Sequence, residues 1–204
     1  MKGKNKVISD SEKFDALVQK AYALSATGAV LLSTKQIVVD SAFAAKCLEP
    51  RCENYGLSRS CPPHVEGPQE MEKMLKTYSS ALFFKIDVPK EMLFSSDRAE
   101  LFSLLHQTAA GVEIAAVGMG FDHARAFAGG SCKQIFCDTH LNCRVVGENK
   151  ECRHPDKARP SMSGFGVDVA KLYEAAGWHM TWESRDEQDE TVKMSNLCGL
   201  VLIC

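Results

Sequence analysis

Nine of the 204 residues are cysteines, and seven of these nine lie in two short segments of the chain. The first segment holds Cys47, Cys52 and Cys61, and the second holds Cys132, Cys137, Cys143 and Cys152. Thiols gathered at close spacing are, in a reducing compartment, more often metal ligands or redox groups than structural disulfides. We therefore predict that all seven cysteines are ligands of a metal cofactor.

The spacing of the cysteines favours an iron–sulfur cluster over a single zinc ion. Neither segment contains Cys-x-x-Cys, and the second has gaps of four, five and eight residues between its cysteines. Zinc sites commonly use paired knuckles, whereas a cluster is larger and its ligands can lie on wider, less regular loops. Pro62 follows Cys61, as in the Cys-Pro ending of ferredoxins. We expect one or two clusters of the [4Fe-4S] type, with zinc as the alternative.

The charges around the second segment also fit ionised thiols. Residues 132–160 carry six basic and four acidic side chains, a net +2, whereas the whole chain carries −2. Nearby cations lower the pKa of a thiol and offset the charge of several thiolates. The same basic residues could instead bind an anionic partner or form a solvated face.

Other residues are weaker candidates for the site. His64, three residues after Cys61, is a candidate fourth ligand for the first segment. His154 is expected to make a structural hydrogen bond, and His140 is a weaker candidate ligand than His64. Cys198 and Cys204 lie in an apolar terminal strand, so we expect them to be free thiols.

Composition excludes several classes of protein. A chain with 45% apolar and 25% charged residues is typical of a soluble globular protein. A net charge of −2 and a pI near 6.3 argue against a nucleic-acid binder. The first residues lack an apolar signal region, and the longest apolar run, Leu197 to Cys204, is far shorter than the ~18 residues of a membrane span. We expect a cytoplasmic protein that binds no membrane.

Hydrophobic periodicity predicts alternating helices and strands. The first predicted helix covers about residues 11–25, after a capping box formed by Ser9 and Glu12. Further helices are predicted at residues 68–78, 97–116 and 167–176, and strands at residues 29–32, 37–39, 81–88, 124–128, 178–182 and 192–203. This order predicts a single metal-binding domain over residues 1–204, of the α/β or α+β class. It would be one layered domain with a mixed sheet, flanking helices and two cysteine-rich metal-binding loops.

Three motifs resemble those of a known family. They are Cys-x-x-Tyr-Gly-x-Ser-x-x-Cys-Pro-Pro at residues 52–63, Gly-Gly-Ser-Cys at residues 129–132 and Cys-Arg-His-Pro-x-x-Ala-Arg-Pro-Ser-Met at residues 152–162. In this order the chain is similar to the microbial domain-of-unknown-function family described as predicted metal-binding proteins. The resemblance covers most of the chain and implies metal binding through these cysteines, with an iron–sulfur cluster favoured. It implies no known reaction.

Two hypotheses for the function follow. In the first, the protein carries its clusters to transfer electrons, or to assist a client enzyme, and so needs a protein redox partner. Three thiols in the first segment would leave one iron of a cubane cluster open to a small ligand. In the alternative, zinc ties the loops to the core of a structural or interaction module and contributes folding free energy. No acid–base or nucleophile–base pair in the sequence assigns a reaction.

Overall fold

A four-stranded antiparallel sheet lies at the centre of the computed structural model, which describes residues 9–180 and 194–204. The strands are β1 (Gly28–Ser33), β2 (Ser80–Pro89), β3 (Arg125–Phe127) and β4 (Met194–Leu202), in the order β1-β2-β4-β3. The helices are α1 (Asp10–Ala23), α2 (Ser41–Ala45), α3 (Pro68–Thr77), α4 (Lys90–Leu93), α5 (Arg98–Gly118), α6 (Cys132–Phe136), α7 (Arg144–Glu148) and α8 (Val169–Ala175). Two short 3-10 helices cover Thr34–Gln36 and Ser163–Phe165.

Helices cover both faces of the sheet because the central strand β2 is apolar on both of its faces. Successive side chains of a strand point to opposite faces. Leu82 and Phe84 pack into the core under α1 and α5, whereas Phe83 packs into a second core with α3 and α8. The fold therefore has three layers, with the sheet in the middle.

Local sequence signals account for where several helices begin. The Ser9 hydroxyl accepts a hydrogen bond from the Glu12 N–H, and the Glu12 carboxylate accepts one from the Ser9 N–H. This confirms the predicted capping box. Pro68 occupies the first turn of α3, where a missing N–H costs nothing, and Met71 of that helix is fully buried.

The sheet differs from the predicted mixed sheet, because all pairings among the four described strands are antiparallel. Helix α5 does connect two strands that run in the same direction, β2 and β3. Strand β4, from the end of the chain, lies between them and is antiparallel to both. The arrangement is a split β-α-β unit, in which the crossover helix and the inserted strand are both predicted from the sequence, but the place of that strand between β2 and β3 is not. One isolated parallel bridge, between Ala128 and Ser161, lies outside these strands.

Two of the predicted strands are also corrected. Val39 makes only an isolated bridge with Val167, and residues 34–36 before it form a 3-10 helix rather than a hairpin turn. Residues 178–180 form no strand, and the rest of that predicted strand, with the acidic loop after it, lies outside the described residues.

Helix α5 is the one helix among the described residues that is long and apolar enough, by length and composition, to cross a membrane. The core helix of a soluble protein passes the same test. Here α5 packs against α1, β3 and β4, and Leu105, Ala109 and Val112 on its inner face are buried. The absence of membrane binding stays a prediction.

Close packing at β4 gives a test of the fold. A Cβ atom added at Gly199 would overlap the ring of Phe84 and approach the carbonyl of Phe127. Because Phe84 is fully buried and cannot move away, we expect Gly199→Ala to lower the free energy of unfolding by about 1–3 kcal/mol. The control is Gly118→Ala at the end of α5, where the added methyl group meets no atom and we expect no loss. Urea denaturation of both variants measures the difference, and equal stabilities would contradict the packing described here.

Candidate metal centre

A short extended segment, residues 160–162, lies between the two cysteine segments and binds to both. The Ala128 N–H, just before the second segment, donates to the Pro160 carbonyl at 2.9 Å, and the Met162 N–H donates to the Ala128 carbonyl at 3.0 Å. The Ser161 N–H donates to the carbonyl of Ser60, in the first segment, at 2.9 Å. Three parts of the chain that are far apart in sequence thus meet at the end of β3.

A buried cluster of serines joins the two segments directly. The Ser58 hydroxyl lies 3.0 Å from that of Ser60 and 3.3 Å from that of Ser131. The Ser60 hydroxyl also accepts a hydrogen bond from the Cys132 N–H at 3.3 Å, and all three serines are buried. Each serine lies shortly before a cysteine, so this cluster determines where Cys61 and Cys132 lie relative to each other.

All nine cysteines lie in the described residues, and all are free thiols. Cys132, Cys143 and Cys152 line one cavity of about 500 Å³. Cys61 lies close enough to Cys132 for their charges to interact. Cys61, Cys132 and Cys137 are buried, Cys47, Cys143 and Cys152 are half-buried, and Cys52 is exposed.

Electrostatic neighbours among the seven thiols form two sets. In the second segment, Cys137 interacts with Cys143 and Cys152, and Cys152 interacts with Cys132. In the first segment, Cys47 interacts with Cys52 and Cys61. The electrostatic interaction between Cys61 and Cys132 places the two sets side by side.

The structure brings the two loops together but does not show a closed metal site. Among the described residues, no three His, Cys, Asp or Glu side chains lie close enough together to hold a single metal ion. The role of the seven cysteines as ligands therefore stays a prediction.

Cys143 is the thiol best prepared to carry a negative charge. Burial raises its pKa, but the nearby backbone N–H groups of Arg59, Val146 and Val145 and the charge of Arg153 hold the pKa below the ordinary value. The N–H of Arg59 comes from the first segment. The Cys152 sulfur accepts a hydrogen bond from the His154 N–H at 3.4 Å. N–H groups that point at sulfur are the donors that stabilise a thiolate ligand.

Burial and mutual repulsion raise the pKa of three other thiols. Burial has the largest effect on Cys132, where Cys152 and Cys61 add repulsion and the hydroxyls of Ser60 and Ser58 oppose it. Burial and the neighbouring Cys52 and Cys61 raise the pKa of Cys47. Burial likewise raises the pKa of Cys137, against the charge of Arg153. Without a cation among them, these thiols would therefore stay protonated at neutral pH.

The histidines and the two remaining cysteines have the following places. The Nε2 atom of His64 lies 3.2 Å from the Gly56 carbonyl, and His64 also lines the cavity. His140 is exposed. Burial raises the pKa of Cys198 to about 12, although the neighbouring Tyr173 opposes the shift, and Cys204 is exposed at the end of the chain. Both are free thiols, as expected.

Residues that the sequence analysis did not select complete the cavity wall. Arg159 pairs with Glu113, and Arg125 pairs with Glu66 through both carboxylate oxygens, at 3.0 and 3.1 Å. Arg159 belongs to one of the three motifs, and Ser58 and Ser131 belong to the other two. The motifs therefore include some of the residues that build this site, although not for the cysteine chemistry that drew attention to them. Glu113 lies inside α5, where the sequence pattern shows only a core helix.

Three features of the chain fit a sulfur-rich metal group at this place. The donor set consists of thiols, the His154 N–H donates to the sulfur of Cys152, and the Nε atom of Arg144, next to Cys143, is buried without a hydrogen-bond partner. A buried N–H without an acceptor is costly. Sulfide or thiolate in a bound cluster is an acceptor that would satisfy it.

The comparisons with known proteins give one match. The model of a family described as "Predicted metal-binding protein (DUF2284)" matches residues 30–203. No curated protein and no solved structure matches the chain.

His106, a buried residue of α5, forms hydrogen bonds with two loop residues near the cavity, Gly129 and Arg159. Its Nδ1 atom accepts a hydrogen bond from the Arg159 N–H at 3.0 Å, and its Nε2–H donates to the Gly129 carbonyl at 3.0 Å. The imidazole is therefore neutral, with a single proton on Nε2. Burial, opposed by the Gly129 bond and reinforced by the charge of Arg159, lowers its pKa to about 4.

This lowered pKa predicts a loss of stability in mild acid. Below the unfolded pKa of about 6.5, the unfolded chain binds a proton at residue 106 that the folded chain does not bind until about pH 4. From pH 7 to pH 5 we expect the free energy of unfolding to fall by about 2 kcal/mol from this group alone. His106→Gln should remove that part of the decrease, and the control, exposed His140→Gln, should not. Guanidinium denaturation at pH 7 and at pH 5 measures the free energy of unfolding of the wild type and both variants. The same pH dependence in all three proteins would contradict this role of His106.

Proposed function

Since the chain belongs to the family of predicted metal-binding proteins DUF2284, we propose that its two cysteine segments hold iron–sulfur clusters of the [4Fe-4S] type. Cys132, Cys137, Cys143 and Cys152 form a four-thiol set that can complete one cluster. Cys47, Cys52 and Cys61 form a three-thiol set that leaves one iron of a second cluster without a thiolate.

One observation carries the proposal. Cys132, Cys143 and Cys152 line a single cavity, and the His154 N–H donates to the sulfur of Cys152 at 3.4 Å. N–H donors to thiolate sulfur are typical of cluster sites, because they spread the negative charge and tune the reduction potential.

The spacing of the cysteines along the chain favours a cluster over zinc. Neither cysteine segment contains Cys-x-x-Cys, and the second has gaps of four, five and eight residues between its cysteines. A single tetrahedral zinc ion needs four ligands at about 2.0–2.3 Å. A cluster is larger than an ion and accepts ligands that are further apart.

The chain's own residues would hold and insulate the group. The buried serine cluster positions Cys61 and Cys132, and Arg153 offsets negative charge near Cys137 and Cys143. A bound iron–sulfur cluster supplies one-electron redox chemistry. Electron transfer, or assistance to a client enzyme, then requires a protein redox partner. Nine free thiols suit a reducing compartment, and we place the protein in the cytoplasm on that ground.

A zinc-stabilised structural module is the second candidate function. Both cysteine segments are long connections with only short helices, α6 and α7 in the second, so a metal would tie them to the sheet. In that case the metal would contribute stability without redox activity.

Metal and sulfide analysis of anaerobically purified protein distinguishes the two functions. We expect brown protein with iron and acid-labile sulfide in equal amounts, and visible absorption that bleaches on reduction. Colourless anaerobic protein with stoichiometric zinc and no sulfide would contradict the cluster proposal and support the structural module.

Two cysteine variants test which thiols hold the metal. We expect Cys152→Ala to lower iron and sulfide content and the yield of folded protein, because it removes a ligand from the four-thiol set. The matched control is Cys204→Ala, which removes an exposed thiol outside both segments and should leave both quantities unchanged. Equal iron content in the two purified variants would show that Cys152 is not a ligand.

A further inference from the structure

The cavity is lined by charged residues as well as by thiols. Besides Cys132, Cys143 and Cys152, its wall contains Arg59, Arg125, Arg159, Glu66 and Glu113. We call these five charged residues the arginine wall. Its three basic and two acidic side chains leave a net charge of +1.

Arg159 and Glu113 satisfy each other and leave no free charge. The Nε atom of Arg159 donates to one oxygen of Glu113, and its Nη1 donates to the carbonyls of Pro155 and Ala158 at 3.1 and 2.9 Å. The other oxygen of Glu113 accepts from the Ala126 N–H at 2.8 Å. This pair is therefore a fixed part of the wall.

Glu66, in contrast, is shared by two arginines. Arg125 donates to both of its oxygens, and the rings of Phe127 and Phe165 flank the Arg125 guanidinium. Burial raises the pKa of Glu66, but hydrogen bonds with its own backbone and with Arg125, together with the charges of Arg125 and Arg59, lower it overall. Arg59 therefore lies near this carboxylate, yet its guanidinium makes no hydrogen bond or ion pair with any described residue. Among the described residues, Arg59 is thus left without a hydrogen-bonded acidic partner at the cavity wall.

We infer that the arginine wall binds a small oxyanion, the carboxylate or phosphate group of a ligand, with Arg59 as its principal contact. A guanidinium presents two parallel N–H donors that match a carboxylate or a phosphate. A cavity of about 500 Å³ has the size of a small-molecule site. Only the statement that this ligand lies beside a metal centre rests on the proposed function. The anion site itself is inferred from the charged side chains that line the cavity.

The binding of two simple anions tests this site. Isothermal titration of anaerobically purified, metal-loaded protein with inorganic phosphate and with pyruvate, at ionic strength held constant with sodium chloride, should give saturable binding with one site. We expect Arg59→Gln to weaken binding about tenfold, because it removes one charge-assisted contact. Preference for pyruvate or for phosphate identifies the ligand as a carboxylate or a phosphate compound.

Two further variants make the test specific. Glu66→Gln removes the carboxylate that competes with the ligand for Arg59 and Arg125, so binding should tighten about fivefold. The matched control is Arg51→Gln, which removes the same charge from the first cysteine segment, where Arg51 stacks on Tyr55. It should leave binding unchanged.

The outcomes separate this inference from the proposed function. No saturable binding to the wild-type protein, equal weakening by Arg51→Gln and Arg59→Gln, or unchanged binding in Glu66→Gln would each overturn the anion site. Iron and sulfide are measured on the same samples. Suppose that a sample without iron binds the anion, and that binding weakens in Arg59→Gln, tightens in Glu66→Gln and is unchanged in Arg51→Gln. This result would support the anion site and contradict the cluster.

Discussion

The hydrogen bonds of Ser60 are the constraint on which the rest of the site depends. Its carbonyl accepts from the Ser161 N–H, and its hydroxyl accepts from the Cys132 N–H, so one buried residue joins three segments of the chain. Buried polar networks of this kind fix geometry strongly, because any member that loses its partner is left unsatisfied away from water. The positions of Cys61 and Cys132 relative to each other follow from that junction.

The junction is in turn attached to the core of the fold. Strand β3 is only three residues long, but the bridge between Ala128 and Ser161 continues it toward the cysteines. His106 reaches the same place from α5 and holds Gly129 and Arg159 with its two ring nitrogens. A long buried helix and the edge of the sheet therefore support loops that contain little regular structure, as a site with fixed geometry requires.

Charge is the second organising feature. Burial is the main reason why the pKa values of Cys47, Cys132 and Cys137 are raised, and thiols placed this close also repel one another when ionised. A bound cation reverses that repulsion, and the lowered pKa of Cys143 shows the same preference for a negative sulfur. The charge of Arg59 lies in the wall of the same cavity and suits a small anion.

The sequence by itself determined the helices with strong apolar faces, the capping box at Ser9, strand β2 and the two cysteine segments. Each of these features depends on residues that lie close together in the sequence. Only the tertiary structure decided that β4 lies between β2 and β3, and that Arg59 and Glu113 share one cavity with the thiols. The seven cysteines were chosen for their type and spacing, and the structure brings their segments together. The physical reason is that strand order and the meeting of charges in a cavity depend on contacts between residues far apart in the chain. Such contacts leave no periodic pattern in the local sequence.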